Sequence, residues 1–209
     1  YKDGENGLSE LIAALSNVNS RIRLGSVEVN VIDEKFLNAT KTLKDFAPHF
    51  HLSLQSGSDP VLKSMNRHYT TQEYFEKVEL IRKFYPLAAI TTDVIVGYST
   101  ETEEDFLNTV EFCKKVEFAD IHCFPYSVRK GTVGAKLKPL PQDEKKRRLN
   151  ELLLVKKQLK EKFINKNIGK TLEFVPEEYE GDYLTGYTEN YIRVYYKGDF
   201  KNEKFRVLL

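Results

Sequence analysis

The 209-residue sequence contains few of the residues that mark a particular chemistry. It has two cysteines, Cys113 and Cys123, whose positions give neither a disulfide framework nor the spacing of a metal site. The formal net charge is only +1, so any basic surface for nucleic acid must be local. No apolar run approaches the roughly 18 residues of a membrane-spanning helix, and no signal peptide opens the chain. We therefore expect a cytoplasmic protein that makes no contact with a membrane.

Several motifs of catalysis are also missing. There is no nucleophile elbow, no Walker loop and no dinucleotide-binding GxGxxG. His49 and His51 share one face of a predicted strand, but no further ligands accompany them, so we expect no metal site. Both cysteines are expected to serve in apolar packing. Residue chemistry alone therefore names no reaction.

The most informative stretch runs from Phe50 to Thr70. An alternating run, residues 50–55, predicts a short strand, and Ser56-Gly57-Ser58 predicts a turn. A helix is expected to restart at Asp59, which can cap the free N–H groups, with Pro60 in the first turn. Parallel α/β proteins build ligand sites at such strand-to-helix turns.

Strands and helices alternate through the first two thirds of the chain. Helices are predicted at about 7–17, at 33–44, from 59 onward, at about 71–84 and in a segment that ends at about 116. Strands are predicted at 21–31, 50–55, 88–96 and 119–124. Capping boxes are predicted at Thr70 with Glu73 and at Thr100 with Glu103. This order predicts an α/β fold with a parallel sheet and right-handed crossovers, with too few strands to close an eight-stranded barrel.

Polar residues interrupt strands that should be buried. Asp93 lies within an apolar strand, Ser53 and Gln55 share one strand face, and Arg21 and Arg23 share another. Each could simply be hydrogen-bonded locally, since buried polar groups usually are. Because several lie near the carboxyl ends of strands, we prefer a ligand-filled cavity.

The composition changes after Pro141. Residues 142–170 carry ten lysines and arginines against four acidic residues, together with an apolar stripe, which predicts a long amphipathic helix with a basic side. A solvated charged face is the alternative interpretation. Short strands are then predicted at 171–175, 183–187, 191–196 and 205–209, with turns at 180–182, 189–190 and 197–199. Such a pattern is typical of a small β-domain comparable to an oligonucleotide-binding module.

One predicted strand of this β-domain suggests contact with RNA. Tyr191, Arg193 and Tyr195 alternate onto one face, as stacking on unpaired bases requires. The alternative is that tyrosine is simply a good strand residue. The RNA-binding candidates are Lys166, Lys170, Tyr187, Tyr191, Arg193 and Tyr195.

Long motifs in this order resemble the radical S-adenosylmethionine tRNA methylthiotransferases. They are HLSLQSGSDPVLKSMNRHYT at 51–70, TTDVIVG with ETEEDF at 91–106, and DIHCFPYSVRKGT at 120–132. The tail, IGKTLEF at 168–174 through GYTENYIRV at 186–194, resembles the TRAM domain of that family. RIRLGSVEVN at 21–30 is most similar to the subfamily that acts on threonylcarbamoyladenosine beside the tRNA anticodon.

The resemblance implies a fold, a reaction and partners. Residues 1–141 would be the C-terminal part of a radical SAM (β/α) barrel of partial TIM type, 142–167 a basic linking helix and 168–209 a TRAM-like β-domain. The implied cofactors are S-adenosyl-L-methionine and two 4Fe-4S clusters, which methylthiolate C2 of the adenine through a 5′-deoxyadenosyl radical. The implied partners are the tRNA anticodon stem-loop, a sulfur donor and an electron donor; the oligomeric state is left open.

The resemblance also assigns residues to the cofactor. The candidates for binding S-adenosylmethionine are Ser26, Glu28, Gln55, Ser56, Arg67, Asp93, Gly97, Phe124, Pro125 and Tyr126. Arg67 is expected to meet the cofactor carboxylate or a phosphate, with a surface ion pair as the alternative.

The sequence departs from the family at its beginning and after Gly97. The three-cysteine motif and the N-terminal domain are absent, and neither cysteine matches a cluster ligand. Tyr98-Ser99-Thr100 replaces the usual Phe-Pro-Gly. We expect a piece of a longer protein that alone neither binds a cluster nor turns over. Two other functions stay open: modification of a ribosomal-protein aspartate, and RNA binding without catalysis.

Overall fold

The computed structural model describes residues 7–198 and 204–209, which form two four-stranded sheets and the helices around them. The helices are α1 Leu8–Ala14, α2 Glu34–Lys41, α3 Asp59–Ser64, α4 Thr71–Phe84, α5 Glu103–Val116 and α6 Gln142–Asn167. The strands are β1 Ser26–Val27, β2 His49–Leu52, β3 Ala89–Val96, β4 Asp120–Pro125, β5 Thr171–Glu180, β6 Tyr183–Thr188, β7 Arg193–Tyr196 and β8 Phe205–Leu208. Short 3₁₀ turns occupy Val29–Val31 and Val133–Lys136. No helix of the described ranges is both long and apolar enough to cross a bilayer.

The first sheet is parallel and has the order β1-β2-β3-β4. The strands follow one another in space as in sequence, as expected for right-handed strand-helix-strand units. Alternate residues of β3 pack against the helices, where Phe36, Phe50, Tyr74 and Phe106 are fully buried. The predicted parallel α/β arrangement is confirmed.

Some predicted boundaries were wrong. The strand expected at 21–31 is reduced to β1 and a 3₁₀ turn. The capping box of α5 is formed by Thr102 and Asp105, not by Thr100 and Glu103. Asp59 does not cap its own helix, because its Oδ1 accepts the N–H of Thr71 at 2.7 Å. That carboxylate joins α3 to the start of α4.

The turn at residues 56–58 is fixed against α5. Gly57 donates its N–H to Thr109 Oγ1 at 3.0 Å, and the Ser58 hydroxyl donates to Asp105. A Cβ at Gly57 would lie 2.7 Å from the Thr109 Cα. A side chain at this position is therefore excluded by close approach of the two backbones.

Helix α6 has the predicted bounds, but much of its charge faces the protein. Lys145 and Arg148 are buried. Lys156 and Lys160 pair with Asp120, and Lys162 pairs with Glu117. The basic side predicted for this helix is thus partly used to fasten it to β4 and to the end of α5.

The second sheet is antiparallel, with the order β7-β6-β5-β8. Phe174, Leu184 and Val207 form its small core. Turns lie at 181–182 and 189–190 as predicted, whereas the turn predicted at 197–199 extends beyond the described residues. Tyr191 was expected in a strand but precedes β7, in a left-handed conformation with φ 66°.

The β-domain, residues 168–209, is attached to the parallel sheet through polar contacts. Arg21 pairs with Asp45 at 3.0 Å and with Glu173 at 2.7 Å. Buried Asn190 donates to the Leu87 carbonyl and to Asn167 Oδ1, both at 3.0 Å. These contacts join the β-domain to both the parallel-sheet part of the chain and α6.

Candidate functional site

Two adjoining hollows of about 640 and 410 Å³ lie where the parallel strands end. We call them together the carboxyl-end groove, since Gln55, Asn66 and Arg67 line both. The groove is lined by the predicted residues Glu28, Gln55, Arg67, Asp93, Phe124, Pro125 and Tyr126, and Ser26 stands at its edge. Most of the predicted cofactor residues are therefore brought together.

Gln55 lies at the centre of this groove in a left-handed conformation, φ 68°. Its N–H donates to the Asp93 carbonyl at 2.8 Å, and its own carbonyl accepts the Ile95 N–H at 2.9 Å. These bonds continue the pairing of β2 with β3 past Leu52. A non-glycine residue with positive φ is uncommon and concentrates at functional sites.

One rim of the groove carries a free cation. Arg67 is exposed and forms no salt bridge within the described part of the chain, so the surface ion pair considered from the sequence is not seen. The neighbouring Tyr69 donates its hydroxyl to the carbonyls of Ser53 and Leu54 at 2.9 and 3.0 Å. The loop that presents Arg67 is thereby held to the end of β2.

The opposite rim is aromatic. Phe124 is 49% exposed, and the ring of Tyr126 meets that of Tyr98 edge to face at 4.8 Å. Lys145 donates to the Tyr126 carbonyl at 3.1 Å, so α6 supports this rim from behind. The groove therefore offers an apolar platform opposite a guanidinium.

Two predicted residues do not line the groove. Ser56 is fully buried and its hydroxyl meets Thr109 at 3.3 Å. Gly97 has φ +72° and donates its N–H to Glu101, so it shapes the loop behind the groove.

A separate hollow of about 760 Å³, which we call the inner cavity, lies between the parallel sheet and the β-domain. It holds three side chains that we call the His-Asp-His cluster: His51, Asp93 and His122. Asp93 Oδ2 lies 3.2 Å from His51 Nε2, and Asp93 Oδ1 lies 3.2 Å from His122 Nδ1. Both carboxylate oxygens of Asp93 thus already have partners.

This cluster was not predicted from the sequence. His51 was paired with His49, and Asp93 was assigned to binding of the cofactor. In the sheet, Asp93 is directly beside His122, and His51 is beside Thr91. Only the register across three strands brings them together, although the histidine in DIHCFP was a signal that could have been used.

His49 lies at the base of the inner cavity, stacked on Tyr191 at 4.1 Å between ring centroids. Burial, followed by the nearby charge of Arg23, lowers its pKa to about 3. His51 and His122 add smaller effects in the same direction. His49 is therefore neutral in the folded protein at neutral pH.

We expect this burial to make stability fall on acidification. Because the folded pKa of His49, about 3, is below the ordinary value of 6.5, the unfolded chain binds a proton first as pH falls below 6.5. From pH 7 to pH 4 this linkage removes about 3 kcal/mol. Denaturant titrations should show a smaller loss for H49Q than for the unmodified chain, with H68Q as the matched exposed control. An equal loss in H49Q would contradict this assignment.

The predicted RNA-binding residues separate into two groups. Tyr187, Tyr191, Arg193 and Tyr195 line the inner cavity, whereas Lys166 lies beside Arg82 and Glu117 at the end of α6. Lys170 follows that helix and donates its N–H to the Asn167 carbonyl. Only Tyr191, Arg193 and Tyr195 were predicted to share one strand face; Arg193 and Tyr195 lie at alternate positions of β7, whereas Tyr191 precedes that strand.

Tyr191 does not have the role of stacking on a base that its sequence position suggested. Its ring lies between His49 at 4.1 Å and Tyr187 at 4.4 Å, both nearly parallel. With both faces covered, it cannot stack on a base. Tyr195 and Arg193 are exposed, and Arg193 pairs with Glu180 at 3.0 Å.

The two cysteines do not fit an iron–sulfur cluster. Cys113 is fully buried in α5, and burial raises the pKa of its thiol well above the ordinary value. Burial also raises the pKa of Cys123 to about 11. A cluster needs several converging thiolates, and two thiols of raised pKa, one buried and one partly buried, do not supply them.

The chain is similar to one protein-family model and to several named proteins. Residues 4–113 match the Radical SAM superfamily model. The threonylcarbamoyladenosine tRNA methylthiotransferase of Bacillus subtilis is 36% identical over 197 residues, 91% of this chain and 44% of that protein. The corresponding protein of Aquifex aeolicus is 44% identical over 178 residues, 85% of this chain and 42% of that protein.

Two further proteins that resemble this chain carry different names. The tRNA-2-methylthio-N(6)-dimethylallyladenosine synthase of Staphylococcus haemolyticus is 37% identical over 202 residues, 94% of this chain and 39% of that protein. The structure of coproporphyrinogen III oxidase from Escherichia coli, a radical SAM enzyme, matches with a TM-score of 0.56, 18% identity, 72% coverage of this chain and 36% of that chain. That likeness concerns the fold alone. The chain spans less than half the length of these curated relatives.

Proposed function

The chain belongs to the radical SAM superfamily, and on that premise we propose that it is part of a tRNA methylthiotransferase. The single observation that carries the proposal is the carboxyl-end groove, which gathers Gln55, Arg67 and the 124–126 rim at one edge of the parallel sheet. The similarity of almost the whole chain to enzymes named as tRNA methylthiotransferases supports it. The substrate we propose is threonylcarbamoyladenosine next to the anticodon, modified at C2 of its adenine in the cytoplasm.

The groove has the chemical character that S-adenosylmethionine requires. Arg67 would pair with the carboxylate of the methionine part, and Glu28 and Gln55 would bind ribose hydroxyls. The adenine would lie against Phe124 and the backbone up to Tyr126. When bound to a reduced cluster, this cofactor supplies the radical that removes hydrogen from the substrate.

We propose that the cluster ligands lie outside these 209 residues. Because Cys113 and Cys123 do not fit a cluster, this chain's part is to bind and orient the cofactor and to keep water from it. We propose that the two clusters, the sulfur donor and the electron donor act with the remainder of the full-length protein. The chain alone should contain no stoichiometric iron after anaerobic reconstitution.

The β-domain would contribute to holding tRNA. Tyr195 is exposed beside the inner cavity, and the guanidinium of Arg193 lies 5.5 Å from its ring centre. An exposed aromatic with an arginine over its face suits stacking on an unpaired base. We propose that residues 168–209 work as a TRAM domain, with 142–167 as the linking helix and 1–141 as the barrel portion.

The proposal is tested by mass spectrometry of tRNA nucleosides from cells with and without the full-length gene. Methylthiolated threonylcarbamoyladenosine should disappear in the deletion and return with the unmodified gene. R67M should reduce its formation about tenfold or more, since a charge-assisted hydrogen bond contributes roughly 1.5–3 kcal/mol. K63M, at an exposed position of α3 outside the groove, should restore it fully.

The other outcomes separate the alternatives. Loss of a different methylthiolated adenosine would keep the reaction class and overturn the substrate. Unchanged nucleosides would overturn the tRNA proposal and lead to the ribosomal-protein aspartate or to RNA binding without catalysis. Equal defects in R67M and K63M would contradict the role proposed for the groove.

A further inference from the structure

We propose that the His-Asp-His cluster binds one divalent transition-metal ion, independently of any cluster or S-adenosylmethionine. His51, Asp93 and His122 offer two imidazoles and a carboxylate from three adjacent strands. Rigid strands, not loops, hold all three, and Asp93 and His122 are direct register partners. A site on such elements is fixed before the ligand arrives.

The distances suit a single ion. Asp93 oxygens lie 3.2 Å from a nitrogen of each histidine, and the potential ligand atoms all lie within 4.8 Å of one another. Ligands at about 2.0–2.2 Å from zinc in a tetrahedron are separated by a little over 3 Å. Oδ2 faces His51 and Oδ1 faces His122, so with Asp93 as a bidentate ligand the two contacts need little adjustment. Ligand atoms that lie up to 4.8 Å apart must approach each other.

A second layer of hydrogen bonds orients the ligands. His51 Nδ1 lies 3.0 Å from Thr91 Oγ1, which leaves Nε2 directed at Asp93. The Ser53 hydroxyl donates to Asp93 Oδ2 at 3.2 Å. Metal-binding histidines typically use the second ring nitrogen for such a bond, which fixes the tautomer.

Thr91 can accept a hydrogen bond from His51 Nδ1 because of how His49 contacts the same hydroxyl. Arg23, whose guanidinium can only donate, lies 3.3 Å from His49 Nδ1, so this nitrogen accepts and the ring proton is on Nε2, 2.8 Å from Thr91 Oγ1. A hydroxyl oxygen has two acceptor positions. It can therefore accept from both His49 and His51 and leave His51 Nε2 unprotonated, as a metal ligand must be.

The ligand set indicates the class of metal. Imidazoles with one carboxylate suit zinc, iron(II), cobalt(II) or nickel(II), whereas magnesium and calcium prefer oxygen ligands alone. His122 is 54% exposed on the inner cavity, so the remaining coordination positions are open. Arg23, Lys160 and Arg193 line the same cavity, and water or an oxyanion would complete the coordination.

The test is titration of the 209-residue chain, purified with a chelator, with cobalt(II) followed by visible spectroscopy and with zinc(II) in competition. We expect one cobalt(II) per chain with ligand-field bands of low coordination number, displaced by zinc but not by magnesium. H122A and D93N should weaken binding by more than about 100-fold, and T91V by about 10- to 100-fold. H68A removes an exposed histidine outside the inner cavity and should change nothing.

Each other result would overturn the site. Absence of stoichiometric cobalt(II), or binding that survives both H122A and D93N, means that the cluster is a hydrogen-bonded trio without metal. Binding lost in H68A means that the ion is held elsewhere. Far-UV circular dichroism of each variant excludes unfolding as the cause; H122A is the safest variant, since its side chain is half exposed.

Discussion

Replacing Arg148 with methionine is expected to lower the free energy of unfolding by about 3–5 kcal/mol, the usual cost of removing one partner of a buried ion pair. Arg148 and Glu101 have side chains only 4% and 0% exposed, with a guanidinium-to-carboxylate distance of 2.7 Å. Glu101 also accepts the Gly97 N–H, and its other oxygen is buried with no hydrogen-bond partner among the described residues. R148M would leave that carboxylate buried with one neutral donor.

The neighbouring residue supplies a matched control. Arg147 is 45% exposed and pairs with Glu103, Glu144 and Glu151 on the helix surface. R147M should cost less than about 1 kcal/mol, since exposed pairs contribute little. Chemical denaturation of both variants at the same pH makes the comparison. Similar losses for R147M and R148M would contradict the assignment of the stability to burial.

The contribution of the Arg148–Glu101 ion pair to stability can also be distinguished from that of packing by the Arg148 methylene groups. In the E101Q background the buried charge is absent, so R148M should cost at least about 1 kcal/mol less than in the unmodified chain. Burial already raises the pKa of Glu101, against the effect of Arg148. In R148M the folded pKa rises further above the unfolded value, so this variant should regain stability as pH falls towards 5.

The capping box of α5 shows why the loop after Gly97 could not be predicted from local sequence. Thr100 and Thr102 are each followed three residues later by an acidic residue, so both satisfy the capping-box pattern. The structure selects Thr102 because Asp105 also accepts a hydroxyl from Ser58, in the turn after β2. That contact joins residues far apart in sequence and has no local signal.

The same distinction applies to the candidate sites. Helix α4 follows from its capping box and periodicity, and α6 from its amphipathic pattern after Pro141; these signals are local, and both helices were predicted. Gln55 and Arg67 were placed at the groove by their position after strands and by family resemblance. The His-Asp-His cluster needs the register of β2, β3 and β4, and the loss of Tyr191 as a stacking residue needs the docking of the β-domain on His49. Neither follows from a single segment.

Both the stability of the fold and the shape of the groove depend on the backbone at Gly97. It has φ +72°, and a Cβ there would lie 2.6 Å from Lys145 Cγ. Lys145 in turn holds the Tyr126 carbonyl at the aromatic rim. A methyl group at residue 97 must therefore displace the side chain that supports the rim.

We expect G97A to lower the free energy of unfolding by about 2–5 kcal/mol, from roughly 1–2 for the left-handed conformation and 1–3 for overpacking. Gly131 is the matched control, since it has φ +88° and a methyl group added there would meet no atom within 4 Å; G131A should cost no more than about 1–2 kcal/mol. Calorimetry at constant pH measures both. Binding of S-adenosylmethionine to the full-length protein should weaken in G97A and not in G131A, because only G97A moves Lys145 and with it the rim at Tyr126. Equal stability losses in the two variants would show that Lys145 yields freely, and the groove would then owe nothing to the glycine.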